Sequence, residues 1–163
     1  MNLEGRAVLV GSMLLTLVLG SVHAFSVFLI SLEDIFGATR SEPSLSYLLP
    51  LASITAVVLT AYRLFGRFSP ATLALVACGG AAVGAMVAGS GSHIAFVWIG
   101  YGVLFGAANG LGYALALQFS AHANPGSEGM AMGLVTASYG IGAAVAPIPF
   151  DLLVVSYGFV GGM

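Results

Sequence analysis

The sequence predicts an all-α membrane protein, a polytopic bundle of transmembrane helices. Three observations predict it: 59% of the 163 residues are hydrophobic, only 6% are charged, and the mean hydropathy is +1.05. Soluble domains carry about 25% charged residues, so a water-soluble globule is excluded. The charges are Glu4, Arg6, Glu33, Asp34, Arg40, Glu42, Arg63, Arg67, Glu128 and Asp151. They fall in short clusters between long uncharged stretches, the pattern of helices that cross a bilayer and loops that do not. A net charge of −2 without any lysine offers no basic surface for counterion release, so no nucleic-acid partner is expected. The lone Cys78 excludes an internal disulfide, and the 23 glycines spread among apolar residues suit close helix contact.

Five uncharged apolar stretches follow in order: 7–32, 44–62, 71–88, 94–119 and 129–150. A bilayer needs about 20 residues per helix, so each is long enough to span, the second and third narrowly. None alternates polar with apolar residues as a membrane strand would. Helix starts are expected at Ser41 before Glu42-Pro43, Ser69 before Pro70, Ser92 before His93 and Ser127 before Glu128, where serine caps exposed amides and proline or acid suits the first turn. Turn clusters lie at Phe36-Gly37-Ala38-Thr39, Gly89-Ser90-Gly91 and Asn124-Pro125-Gly126. With connections this short, successive spans run antiparallel in a single transmembrane domain. A secretory signal is the alternative for the first span, because Val22-His23-Ala24 resembles a cleavage site. The apolar run continues through Phe25-Ser26-Val27-Phe28-Leu29-Ile30, longer than a signal core of about 7 to 15 residues.

Arginines set the expected orientation. Arg6, Arg63 and Arg67 flank the start of the first span and the end of the second, whereas 33–42 carries three acids and only Arg40. By the positive-inside rule the N-terminus and the second connection are cytoplasmic.

Small and polar residues mark faces. On the first span Ser12, Thr16, Gly20, His23 and Ser26 share one face at spacings of three and four. This face reads either as the lining of a water-filled path, with His23 a proton or substrate contact, or as a packed interface in which small residues let helices approach. The fourth span carries Gly102, Gly106 and Gly110 at intervals of four, a ladder that marks close helix packing. Asn109 and Tyr113 share a face, and an amide inside hydrocarbon needs a partner, either another helix or a solute. On the fifth span Gly129, Gly133, Thr136 and Gly140 form a small-residue face, with Gly133 and Gly140 assigned to packing; Pro147 and Pro149 then predict a bend. Substrate-path candidates are therefore Ser12, Thr16, His23, Ser26, Asn109, Tyr113 and Thr136. No catalytic residues, metal ligands or cofactor are expected. His23, His93 and His122 lie in three segments, and no span carries a pair of carboxylates or a Gly-x-Ser-x-Gly elbow.

The run from Phe25 to Ile30, continued by Ser31-Leu32-Glu33-Asp34-Ile35-Phe36-Gly37-Ala38-Thr39-Arg40-Ser41-Glu42, resembles the first helix and following loop of major facilitator superfamily transporters. The likeness is nearest to the oxalate/formate antiporter and monocarboxylate transporter branch, where an apolar run, acids, Phe-Gly and an Arg-Ser-Glu-like turn come in this order. The glycine-rich stretch 102–113 and the stretch 133–147, closed by Tyr157-Gly158, add to it. Between the second and third spans, Tyr62-Arg63-Leu64-Phe65-Gly66-Arg67-Phe68-Ser69-Pro70-Ala71 matches the family's cytoplasmic loop at Arg63 and Arg67. It departs from that loop at Gly66, where an aspartate is usual, and at Ala71, where a base is common. Glu128 likewise replaces a base at the start of helix five.

The resemblance implies about five of twelve helices, most of an N-terminal half, with a sixth helix beginning near 159–163. It implies a secondary antiporter working by alternating access on a small organic anion, a mono- or dicarboxylate, in a bacterial or archaeal inner membrane. The partners implied are that anion, the lipid bilayer and a second half or partner chain. The alternative is a non-transporting helical membrane module that assembles with partner chains through its glycine faces.

Overall fold

A computed structural model describes residues 3–28, 41–90, 93–149 and 151–152, with the side chains of 26–28 and 41–44 left aside. Among the described residues the chain is helical and carries no strand, an all-α bundle. Helix α1 covers Leu3–Leu19 and continues as 3-10 turns over Gly20–Phe28; α2 covers Ser41–Thr60 and α3 covers Pro70–Ser90. Helix α4 spans Ile94–Ala123, and α5 covers Glu128–Val145. A short helix, Tyr62–Phe65, turns the chain between α2 and α3.

Four described helices are long and apolar enough to cross a membrane: Leu3–Phe25, Pro70–Ser90, Ile94–Ala123 and Glu128–Pro149. The described apolar part of α2, Leu45–Thr60, is shorter. Residues 29–32, expected to complete the first span, and 159–163, expected to open a sixth, lie outside the described residues. Helix starts agree with serine only in part. Ser69 caps α3, its hydroxyl accepting from the Thr72 amide at 3.2 Å. Ser127 makes no such cap; instead the Gly126 amide donates to the Glu128 carboxylate at 2.8 Å, and Gly126 takes a φ of +81° that a side chain would resist.

The centre of the bundle is α4, which touches α1, α2, α3 and α5. Its glycine ladder fits against α2. A Cβ at Gly106 would lie 2.7 Å from Pro50 Cα, one at Gly110 2.7 Å from the Ile54 carbonyl oxygen, and one at Gly102 2.8 Å from Leu49 Cβ. Pro50 sits buried inside α2, where the absence of Cβ on the facing helix accommodates it. On the other side Gly84 of α3 meets Gly100 backbone to backbone. Helices α1 and α5 approach as closely: a Cβ at Gly20 would fall on the Tyr139 carbonyl oxygen, and one at Gly142 on that of Leu17.

Close approach replaces the hydrophobic effect as the organising force here, because hydrocarbon outside is as apolar as the interior. Leu14, Val18, Leu75, Met86 and Ile141 accordingly stay on the outer surface. The packing expected at Gly133 and Gly140 is not present among the described residues, since a Cβ at either meets no atom within 4 Å. The reason is rotational: α5 turns Ala131, Val135, Ser138 and Gly142 inward, which leaves Gly129, Gly133, Thr136 and Gly140 outward.

Two stretches depart from the α-geometry expected of uninterrupted spans. Past Leu19, α1 tightens into 3-10 turns, and over Trp98–Phe105 α4 widens into π turns, with the Gly106 amide donating to the Tyr101 carbonyl. The two irregular parts are joined through side chains. Tyr101 stacks on Phe25 with centroids 4.7 Å apart and on Phe105 at 5.0 Å, so a continuous aromatic column fills the space where the two backbones deviate. In α5 a turn at Ala146 precedes Pro147, the interruption that paired prolines impose.

Arg6, Arg63 and Arg67 share one end of the bundle. The Asn124 amide donates to the Gly5 carbonyl at 3.1 Å, and Ala61, Leu73 and Leu115 form one cluster with Phe65 and Phe119 packed on it. The opposite end holds Ser46, Trp98 and Val22, with Trp98 Nε1 donating to Ser46 Oγ at 3.0 Å. This grouping is what a positive-inside arrangement requires. A reporter fused after Arg67 is therefore expected to register cytoplasm and one within 37–40 the exterior; reversed labelling in a whole-cell reporter assay overturns that orientation.

Candidate functional site

Half-way along the bundle a polar cluster gathers side chains from α1, α2, α4 and α5 among apolar surroundings. Asn109 lies at the middle of α4, fully buried, and its Nδ2 donates to the Leu19 carbonyl of α1 at 2.7 Å. Its Oδ1 accepts from the Tyr139 hydroxyl of α5 at 3.3 Å. Both ends of the amide are thereby used, which is what makes it tolerable inside an apolar bundle.

Tyr139 is the hub. Its ring meets the edge of His23 at 5.5 Å between centroids and tilts against Tyr113 at 4.9 Å. His23 Nδ1 lies 3.0 Å from the Tyr47 hydroxyl, and the two rings meet edge to face at 6.3 Å. Tyr113 completes the run, its hydroxyl 3.1 Å from the Thr136 hydroxyl. Thr136 also donates to the Met132 carbonyl in its own helix. From His23 to Thr136 the cluster goes from half-buried to exposed on the face that α5 presents outward.

Of the residues expected on a substrate path, the structure brings four together: His23, Asn109, Tyr113 and Thr136. Ser12 and Thr16 are placed elsewhere, buried between α1 and its neighbours. The Thr16 hydroxyl lies 3.0 Å from the Val135 carbonyl and 3.0 Å from that of Ser12, a link between α1 and α5. Their stretch of the first-span face is thus the packed interface, and only its His23 end reaches the cluster. The side chain of Ser26 is outside those described.

Tyr47 and Tyr139 were not anticipated. A signal existed in each: tyrosine inside an apolar span needs a partner for its hydroxyl, and Tyr139 stands three residues after Thr136. The loop arginines behave as surface groups. Arg63 lies with its guanidinium 5.6 Å from the Tyr62 ring centre and its Nε donating to the Tyr62 hydroxyl at 3.1 Å, and Arg67 is exposed.

Hydrogen-bonding groups are therefore abundant in the cluster, while none of its members carries a fixed charge. The set can orient a polar solute by several hydroxyls, an imidazole and an amide. A groove of about 380 Å³ between α1, α3 and α4 is almost wholly apolar, lined by Val8, Leu15, Ala74, Leu115 and Phe119, and offers no comparable recognition. Among the described residues no three of His, Cys, Asp or Glu converge as metal ligands would.

No family model matches the chain. It is similar to a curated protein of Escherichia coli (strain K12), the uncharacterized MFS-type transporter YhjX, with 26% identity over 135 residues. That alignment covers 83% of this chain and 34% of the relative, so the chain spans about a third of the relative's length. Together with the four long apolar helices, this likeness supports an integral membrane protein.

Proposed function

We propose that the chain is the N-terminal portion of a secondary active transporter that moves a small organic anion, a mono- or dicarboxylate, by alternating access. The observation that carries this reading is the cluster of His23, Tyr47, Asn109, Tyr113, Thr136 and Tyr139 half-way along the bundle, at a depth where the spans carry no charge, running from buried Asn109 to exposed Thr136. Polar side chains at that depth are costly and mark solute pathways in membrane proteins. Transporters place their sites near the midplane between two repeats, which fits a cluster that reaches the surface at Thr136.

The cluster's chemistry suits a carboxylate in part. Hydroxyl and amide donors can orient its oxygens, but a full negative charge at the midplane also needs a cation. The uncharged spans supply none, so the counter-charge is assigned to the other half. Reconstituted proteoliposomes test this with labelled oxalate, formate and lactate. The 163 residues alone are expected to show no saturable uptake, and the chain extended by its downstream reading frame is expected to show it. Saturable uptake by the short chain that disappears in Asn109→Ala overturns the placing of the counter-charge. Absence of uptake of all three anions by the extended chain overturns the substrate class and favours a non-transporting module.

A further inference from the structure

The C-terminal third of α1, packed on α5, has an unusual shape and is bonded by two side chains of α4. Beyond Leu19 the helix tightens from α to 3-10 turns, whose hydrogen-bond geometry is poorer and which rarely run beyond three or four residues. Here they run for nine residues, Gly20–Phe28. Two α4 donors reach this stretch: Asn109 Nδ2 gives its proton to the Leu19 carbonyl at 2.7 Å, at the junction, and the Tyr101 hydroxyl gives its proton to the Val22 carbonyl at 2.8 Å, one turn on. Tyr101 is fixed in turn by its stacks on Phe25 and Phe105, the second inside the π turns of α4. So the two departures from α-geometry are bonded to one another. A clamp of this kind compensates the poor backbone bonds of a long 3-10 run with outside donors.

His23 stands four residues past Leu19, and the winding of those residues decides where its ring points. A 3-10 residue turns about 120° and rises about 2.0 Å, an α residue about 100° and 1.5 Å. Rewinding four residues would therefore swing the imidazole by about 80° around the helix axis and draw it back by about 2 Å. That is enough to break the 3.0 Å contact with Tyr47 and the edge contact with Tyr139. Gly20 opens the stretch, and the α5 backbone at Tyr139 packs directly on it, so the pivot lies beside the cluster itself.

We propose that the C-terminal third of α1 is a winding switch: Asn109 and Tyr101 hold it as 3-10 turns with His23 in the polar cluster, and release of these two hydrogen bonds rewinds it to α and turns His23 away. Asn109 and Tyr101 are then positioning residues that act through the α1 backbone. The trigger is built into the cluster. Tyr139 donates to Asn109 Oδ1 across a long 3.3 Å, so an acceptor arriving beside Tyr139 can take over that hydrogen bond and remove one of the two bonds that orient the Asn109 amide toward Leu19. This last step rests on the transport reading above, whereas the clamp and the switch stand on the contacts within the bundle.

The experiment is nuclear magnetic resonance on the full chain in nanodiscs, with ¹⁵N-imidazole histidine and ¹³C-labelled backbone. His93 and His122 are exposed and serve as internal references, and the His23 signal is assigned by its loss in His23→Gln. Tyr47→Phe defines the resonance of a His23 without its tyrosine partner. In Tyr101→Phe, which keeps the aromatic column and removes only the hydroxyl, a second His23 resonance at that unbonded position is expected. Its population should rise by about three- to tenfold over wild type, the size of one lost hydrogen bond.

The Val22 and Ala24 Cα shifts should move toward α values in step, while His93 and His122 stay in place. Asn109→Ser is expected to do the same, and if that variant fails to fold, Tyr101→Phe decides alone. A His23 signal that keeps its bonded position in folded Tyr101→Phe overturns the proposal. So does loss of the Tyr47 bond without a change in the Val22 and Ala24 backbone shifts. Adding oxalate, formate or lactate to wild type is a separate arm: no response there counts against the solute reading and leaves the switch standing on the variants.

Discussion

Gly106→Leu is expected to be among the most damaging single substitutions in this bundle. A Cβ alone at that position would lie 2.7 Å from Pro50 Cα, 2.9 Å from the Pro50 carbonyl oxygen and 3.0 Å from Ser53 Cβ. Two of the three obstacles are backbone, which cannot rotate aside. Overpacking a core usually costs about 1–3 kcal/mol, and the upper end applies where only a shift of whole helices gives relief. Because α2 is wedged by Pro50 against α4, moving it also disturbs the neighbouring contacts of Gly102 with Leu49 and Gly110 with Ile54. Thermal unfolding in detergent should fall sharply for Gly106→Leu and barely change for Gly133→Leu, whose Cβ would enter open space. Equal stability of the two variants would mean that α2 and α4 do not meet at the ladder.

That contrast shows what a helical sequence reveals and what it withholds. Spacing of four at Gly102, Gly106 and Gly110 reads as a packing seam because three glycines in register have few other uses in an apolar helix. Gly129 and Gly133 have the same spacing of four, and they and Gly140 face outward. Periodicity shows that residues share a face; which neighbour covers that face is a property of the assembly. The same limit applies to α1. Ser12, Thr16 and His23 share a face by spacing, yet Ser12 and Thr16 are buried, Thr16 bonded to α5, while His23 emerges beside Tyr47 and Tyr139. Asn109 was legible since an amide in hydrocarbon demands a partner. Its partner was not, because a backbone carbonyl such as that of Leu19 leaves no mark in sequence. The 3-10 turns were illegible for a related reason: they coincide with α1 carbonyls that side chains of α4 bond, and no local propensity encodes that.

Asn109→Leu is expected to destabilise the bundle mainly through α1, and the comparison with Tyr139→Phe shows how. Leucine keeps the branched outline of asparagine, although its two methyl groups are bulkier, so the lost hydrogen bonds are the specific part of the effect. What is lost is the 2.7 Å bond to the Leu19 carbonyl and the 3.3 Å bond from the Tyr139 hydroxyl. A buried polar group left unsatisfied costs about 1–3 kcal/mol in soluble proteins. Interhelical hydrogen bonds in membranes average nearer 0.6, with a maximum of about 1.7 kcal/mol. The short bond belongs at the upper end of the membrane range and the long one near zero, so Asn109→Leu should cost about 1–2 kcal/mol and Tyr139→Phe about 0.5 or less. Asn109→Asp should be worse than either, since aspartate has no amide proton for Leu19 and, if ionised, adds a charge costing about 2.5–3.5 kcal/mol at mid-helix. Unfolding by sodium dodecyl sulfate in mixed micelles measures all three, and the double variant Asn109→Leu with Tyr139→Phe measures their coupling. If Tyr139→Phe alone costs as much as Asn109→Leu, the hydroxyl rather than the backbone bond anchors Asn109, and α1 is held by α5 instead of α4.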